Sequence, residues 1–191
     1  MNNTGRDLRT GICVLIMLLA LCACQGQQPE PEPLLGPGVA MDLQSSAFEA
    51  GGMIPTRYTC DGQDVSPALS WSEPPAGTES LVLLCDDPDA PAGTWDHWVL
   101  FNIPAANRSL PERIATEPVI DGAGVQGANS WGKIGYGGPC PPKGTEHRYY
   151  LRLYALDTNL DLEPGAKRKD VEEAFQGHIL AQGQLMGRYG R

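Results

Sequence analysis

Five side chains of this 191-residue chain join acid–base character to placement beside rigid backbone: Asp87, Asp89, His97, His147 and Tyr149. A histidine near a carboxylate can hold an oxyanion as an imidazolium or exchange a proton, and a phenol adds a neutral donor. Each histidine but His178 opens a strand-like run, "HWVLFNI" at 97–103 and "HRYYLRLYAL" at 147–156. With a period of two, His97 shares a face with Val99, Phe101 and Ile103, and His147 with Tyr149, Leu151, Leu153 and Ala155. Each therefore stands at the end of an apolar row, where a sandwich opens into a pocket. A satisfied structural histidine carries the same signature. The other face of the second run, Arg148, Tyr150, Arg152 and Tyr154, reads as solvated. Asp87 and Asp89 lie in "DPDAP", whose prolines Pro88 and Pro91 fix the backbone. Two roles stay open for them: Asx-type capping of that turn, or orientation of a neighbouring histidine.

The elements that must position these groups are mostly short strands between Gly/Pro turns. "ALSW" (68–71) precedes "SEPPAGT", and "SLVLLC" (80–85) is a continuous apolar run suited to a strand buried on both faces. The run from His147 is the longest strand expected, and "QLMGRYG" reads as a short final one. This pattern predicts a mainly β fold, an antiparallel β-sandwich, with one or two peripheral helices. The helix is "KDVEEAFQGHIL" (169–180), with Val171, Ala174, Phe175, His178 and Ile179 at helical spacing. The basic run "AKRKD" at its start reads as a solvated turn rather than a docking patch.

The N-terminus is expected to be removed from the fold. Arg6 and Arg9 precede the apolar "GICVLIMLLALCAC", which has the length and flanks of a secretory signal. Its end, "LCAC", resembles the bacterial lipoprotein box, with Cys24 as the lipidated first residue. The expected organisation is a signal peptide at 1–23, a Pro-rich unstructured tether at 24–40 and one domain at 41–191. The tether, "QGQQPEPEPLLGPGVA", is too polar and aperiodic to fold. At roughly 3 Å per residue it would reach about 40 Å. With 14 Lys and Arg against 23 Asp and Glu, net charge −9, nucleic acid is not an expected partner.

Taken together, "CDDPDAPAGTWDHWVLFNIP", "GYGGPCPPKGTEHRYYLRLYALD", "YTCDGQDVSPALSW" and "GHILAQGQLMGRYGR" resemble the phosphatidylethanolamine-binding protein family, most closely its bacterial Raf-kinase-inhibitor-like branch. The resemblance spans nearly all of 41–191. It implies a β-sandwich with a small surface pocket for anions such as phosphate, acetate or a phosphoethanolamine headgroup. Carried over position by position, the pocket residues are Asp87, Asp89, Trp95, His97, Gly138, Cys140, Pro141, His147 and Tyr149. Cys140 stands where animal members often have glycine. The glycines of the 138–142 loop would let a backbone N–H approach the anion closely, and the histidines and tyrosine would donate to it.

Among the cysteines beyond the signal, Cys85 ends an apolar run and is expected to be a buried free thiol. Cys60 and Cys140 lie in loops of an exported chain, and a disulfide between them is expected. No Cys/His spacing suggests a metal, and no cofactor is expected. The reading is a binding protein rather than an enzyme, anchored to the bacterial cell envelope through Cys24, with the outer membrane favoured by Gln25 where there are two membranes. Its partner would be a small anionic or phosphorylated ligand. Protease or kinase inhibition through a protein interface is an alternative. A hydrolase using the two histidines and the aspartates is a further one, though there is no Gly-x-Ser-x-Gly elbow.

Overall fold

The computed structural model describes residues 39–191 together with Met1. The expected signal peptide, the expected lipidation at Cys24 and the expected tether up to residue 38 fall outside the described residues. In chain order the strands are β1 (Val39–Ala40), β2 (Leu43–Ser45), β3 (Leu69–Trp71), β4 (Ser80–Asp87), β5 (Trp95–Pro104), β6 (Ser109–Leu110), β7 (Val119–Ile120), β8 (Gly124–Gln126), β9 (Glu146–Leu156) and β10 (Ile179–Gly190). Among the described residues a single α-helix, α1 (Arg168–Phe175), precedes β10. Seven strands form one sheet in the order β1-β10-β9-β4-β5-β8-β7, and β2-β3-β6 form a second. The expected domain edge at residue 41 falls just inside the sheet, because Val39 and Ala40 pair in parallel with Ala181 and Gln182.

Both faces of the large sheet are covered, which is why "SLVLLC" shows no alternation. Leu81, Leu83 and Cys85 join Leu43, Leu69, Trp71 and Leu110 of the small sheet in the main core. Val82 and Leu84 point the other way, into a second core with Val171 and Phe175 of α1. This corrects the solvated face expected for β9: Tyr150, Arg152 and Tyr154 are buried on the α1 side. The charge of Arg152 is met there by Asp86, 2.9 Å away.

The helix is shorter than its periodicity suggests. Gly177, at φ +83°, takes the left-handed conformation that ends a helix, so His178 lies outside it and Ile179 opens β10. The final strand is accordingly the longest, not a short tail. Arg168 of the basic run does not stay in solvent. It reaches Asp86 at 3.0 Å, Asp96 at 3.2 Å and Glu172 at 2.6 Å.

Candidate functional site

The ends of β4, β5 and β9 meet at one edge of the large sheet, and the groups named from the sequence gather there. The face assigned to His97 is not the one it takes. Cys85 pairs with Trp98 but Asp86 pairs with Asp96, so β5 carries one extra residue at His97. A second irregularity, between Leu81 and Leu83, leaves Asn102 extra at φ +52°. Consequently Val99 and Phe101 enter the α1-side core, whereas Ile103 and Trp98 enter the main core. The bulge turns His97 toward the main-core side, its ring 5.2 Å from Tyr149 and 5.0 Å from Trp131, edge-on to both.

His147 keeps its predicted row with Tyr149, Leu151 and Leu153, because β9 runs in unbroken register against β4. Its Nδ1 donates to Asp87 Oδ2 at 2.8 Å. The other oxygen, Asp87 Oδ1, accepts the Asp89 N–H at 2.9 Å. Asp87 thus takes both roles left open for it: it closes the turn and orients a histidine. Asp89 points elsewhere. It clamps Arg148, accepting from the backbone N–H at 2.9 Å and from Nη2 at 2.6 Å, and hydrogen bonds from Arg148 hold its carboxyl below the usual range.

A recess of about 260 Å³ lies over these groups, lined by Asp87, Trp95, His97, Trp131, Cys140, Pro141 and His147 among others. Gly138 and Tyr149 are not on its surface. Tyr149 is fully buried behind it, and its hydroxyl makes no hydrogen bond among the described residues. Burial and then the Asp87 charge push this phenol up, and the Cys140 N–H bears on it in the opposite sense.

The glycine loop works differently from the expectation. Gly138 N–H donates to Asp64 Oδ1 at 2.6 Å and Gly137 N–H to the His97 carbonyl at 2.9 Å. Neither is left for an anion. Gly138 is needed for closeness instead, since a Cβ there would sit 2.3 Å from the Tyr58 carbonyl oxygen. Pro139, Pro141 and Pro142 have no N–H, and the N–H of Cys140 bears on the buried Tyr149 hydroxyl. The loop is held from outside by the Cys60–Cys140 disulfide, Cα–Cα 5.4 Å. Cys85 is a buried free thiol, pushed up by burial.

His97 Nδ1 donates to the Gly137 carbonyl at 2.7 Å. With both Nδ1 atoms engaged, Nε2 is the nitrogen each ring leaves for a ligand. Burial lowers the His97 pKa, against a smaller opposing effect of the Gly137 hydrogen bond. No group of His, Cys, Asp and Glu among the described residues is arranged to hold a metal. Sequence reasoning missed Trp131, Asp64 and Asn129. Trp131, in the glycine-flanked "NSWGKIGYGG", was the one detectable signal, a large apolar residue inside a turn-rich stretch.

The sequence profile of the family described as phosphatidylethanolamine-binding protein matches residues 44–190. The chain belongs to the phosphatidylethanolamine-binding protein family. Among its relatives, a UPF0098 protein of Methanothermobacter thermautotrophicus is 53% identical over 151 residues, covering 79% of this chain and 99% of that one. A UPF0098 protein of Aquifex aeolicus is 49% identical, covering 81% and 91%. Solved family structures superpose well. The homologue from Chlamydia trachomatis gives a TM-score of 0.71 at 42% identity, covering 80% of this chain and 98% of its own. E. coli YbcL, described as a new member of the mammalian PEBP family, gives 0.72 at 32%, covering 79% and 98%.

Proposed function

We propose that this member of the phosphatidylethanolamine-binding protein family binds a small anion, a phosphate or phosphate monoester, in the recess between His97 and His147. One observation carries the reading: two imidazoles with their Nδ1 atoms engaged, by Gly137 and Asp87, border one recess. No lysine or arginine lines the recess, so the anion's charge is met by imidazolium.

Calorimetry with inorganic phosphate and phosphoethanolamine tests this on the wild type, His97→Ala and His147→Ala. Each substitution is expected to weaken binding by about tenfold or more, the worth of one charge-assisted hydrogen bond. Equal affinity in all three proteins would remove the recess as the site and favour a protein-interaction role.

The domain is further proposed to work outside the cytoplasm, held at the envelope through lipid on Cys24. The sequence supports this by its signal-like N-terminus, and the disulfide by its preference for oxidising compartments. Labelled palmitate should enter the wild-type protein and not Cys24→Ala, with the variant released from the membrane fraction.

A further inference from the structure

Beside the anion recess, across a ridge made by Trp131 and Cys140, lies a second half-open cavity of about 300 Å³. Trp131 and Cys140 line both cavities. The floor of the second is apolar, built from Trp131, Ile134 and Tyr136 beside the backbone of Gly137 and Gly138. Three of its polar side chains are already engaged within the protein. Asp64 Oδ1 accepts the Gly138 N–H at 2.6 Å, and the Tyr136 hydroxyl donates to the Tyr58 carbonyl at 2.8 Å. The Asn129 side chain donates to the Gly135 carbonyl at 3.0 Å and accepts the N–H groups of Trp131 at 3.0 Å and Lys133 at 3.1 Å. An apolar solute would cover the exposed ring and aliphatic surface there. Trp131 itself is 43% exposed, an unusual state for so large an apolar side chain at the rim of two cavities. Lys133 is the one lysine or arginine lining either cavity, on the second of them.

We propose that this second cavity is a subsite for the organic substituent of the bound anion. The preferred ligand is then a phosphate monoester carrying a compact alkyl or aryl group, not free phosphate. This rests on the anion reading of the adjoining recess. A cavity of this size, open to solvent on one side, suits a short chain or a single ring better than the paired tails of a membrane lipid.

The test is calorimetry of the full chain with inorganic phosphate and with methyl, butyl and phenyl phosphate. Full burial of a methylene strengthens binding about fourfold, so a half-open cavity should give about tenfold or more from methyl to butyl. Ile134→Asn should flatten that gradient while leaving inorganic phosphate binding unchanged, which also shows that the variant folds. Thr116→Gln, at an exposed position on the same cavity, gives an independent surface variant with the same expectation. Equal affinity for methyl and butyl phosphate would overturn the subsite and leave the anion recess standing. A butyl preference that survives both substitutions would overturn its location. If the wild type fails to bind inorganic phosphate and every ester, the recess reading falls and the subsite with it. Binding to phosphatidylcholine vesicles doped with phosphatidic acid, without binding of the soluble esters, would overturn the compact substituent in favour of a lipid surface.

Discussion

At the scale of single residues, the two histidines are prepared differently for one task. His147 is turned by a carboxylate, His97 by a carbonyl. A neutral His97 with Nδ1 protonated presents a lone pair at Nε2, which repels an anion, so ligand binding at this ring requires a proton. Burial depresses the His97 pKa below its ordinary 6.5, while the charges of Asp87 and Asp86 on β4 act in the opposite direction. In the unfolded chain the ring gains its proton as pH falls through about 6.5; the folded ring resists. Its contribution to stability is therefore complete above that pH and declines as pH falls below it toward the lower folded value. A bound anion favours the imidazolium and reverses the trend. Phosphate affinity should rise as pH falls across this range, by up to about tenfold per pH unit for one coupled proton, and the rise should be shallower in His97→Gln. A pH-independent affinity in the wild type would contradict this. The role of Asp87 was half legible, because "DPDAP" announces a turn but not which strand faces it. Asp89 carries the same local signature and is spent on Arg148.

At the scale of elements, β9 was readable and β5 was not. The row from His147 to Ala155 follows a period of two because β9 lies between β4 and β10 without slippage at this end. In β5 two extra residues, His97 and Asn102, each shift the period, and nothing in "HWVLFNI" marks them. Asn102 is held in its left-handed conformation by Leu160, accepting that residue's N–H at 2.8 Å and donating to its carbonyl at 2.9 Å. That partner lies 58 positions away, beyond any local reading. The loop after Gly135 shows the same limit, since its glycines serve Asp64 and Tyr58 rather than the ligand. The disulfide closes a loop spanning 80 positions, which chain-entropy reasoning values at about 4 kcal/mol. Urea unfolding of Cys60→Ser/Cys140→Ser should show a loss approaching that figure, with phosphate binding weakened because Cys140 and Pro141 form the pocket wall. An unchanged midpoint would mean that the hydrogen bonds Asp64 accepts from Gly138 N–H and Pro139 accepts from Cys60 N–H hold the loop alone.

At the scale of the whole molecule, the large sheet separates two kinds of interior. One side is the main apolar core, which opens at its end into the recess. The other contains Asp86, buried between Arg152 and Arg168, with Asp96 and Glu172 closing the cluster. Burial raises the Asp96 pKa even beside Arg168. Because Asp86 precedes Asp87 and Asp96 precedes His97, this cluster fixes the strand ends from behind while the ligand groups face forward. Asp86→Ala would leave two arginines without their shared partner, at a cost of about 3–5 kcal/mol. Chemical unfolding reads that directly, and a loss below about 1 kcal/mol would show the cluster to be dispensable. The two-sided burial was legible in "SLVLLC"; the ionic layer was not, since its arginines read as solvent-facing. The pairing of Val39 with Ala181 has a directional consequence. Ala181 lies opposite Ala155, while Tyr189 lies opposite His147. Eight residues of strand, about 26 Å, separate the point where the chain enters the sheet from the mouth of the recess. Changes at Val39 and Ala40 therefore act on the far end of the sheet and should leave the mouth of the recess untouched.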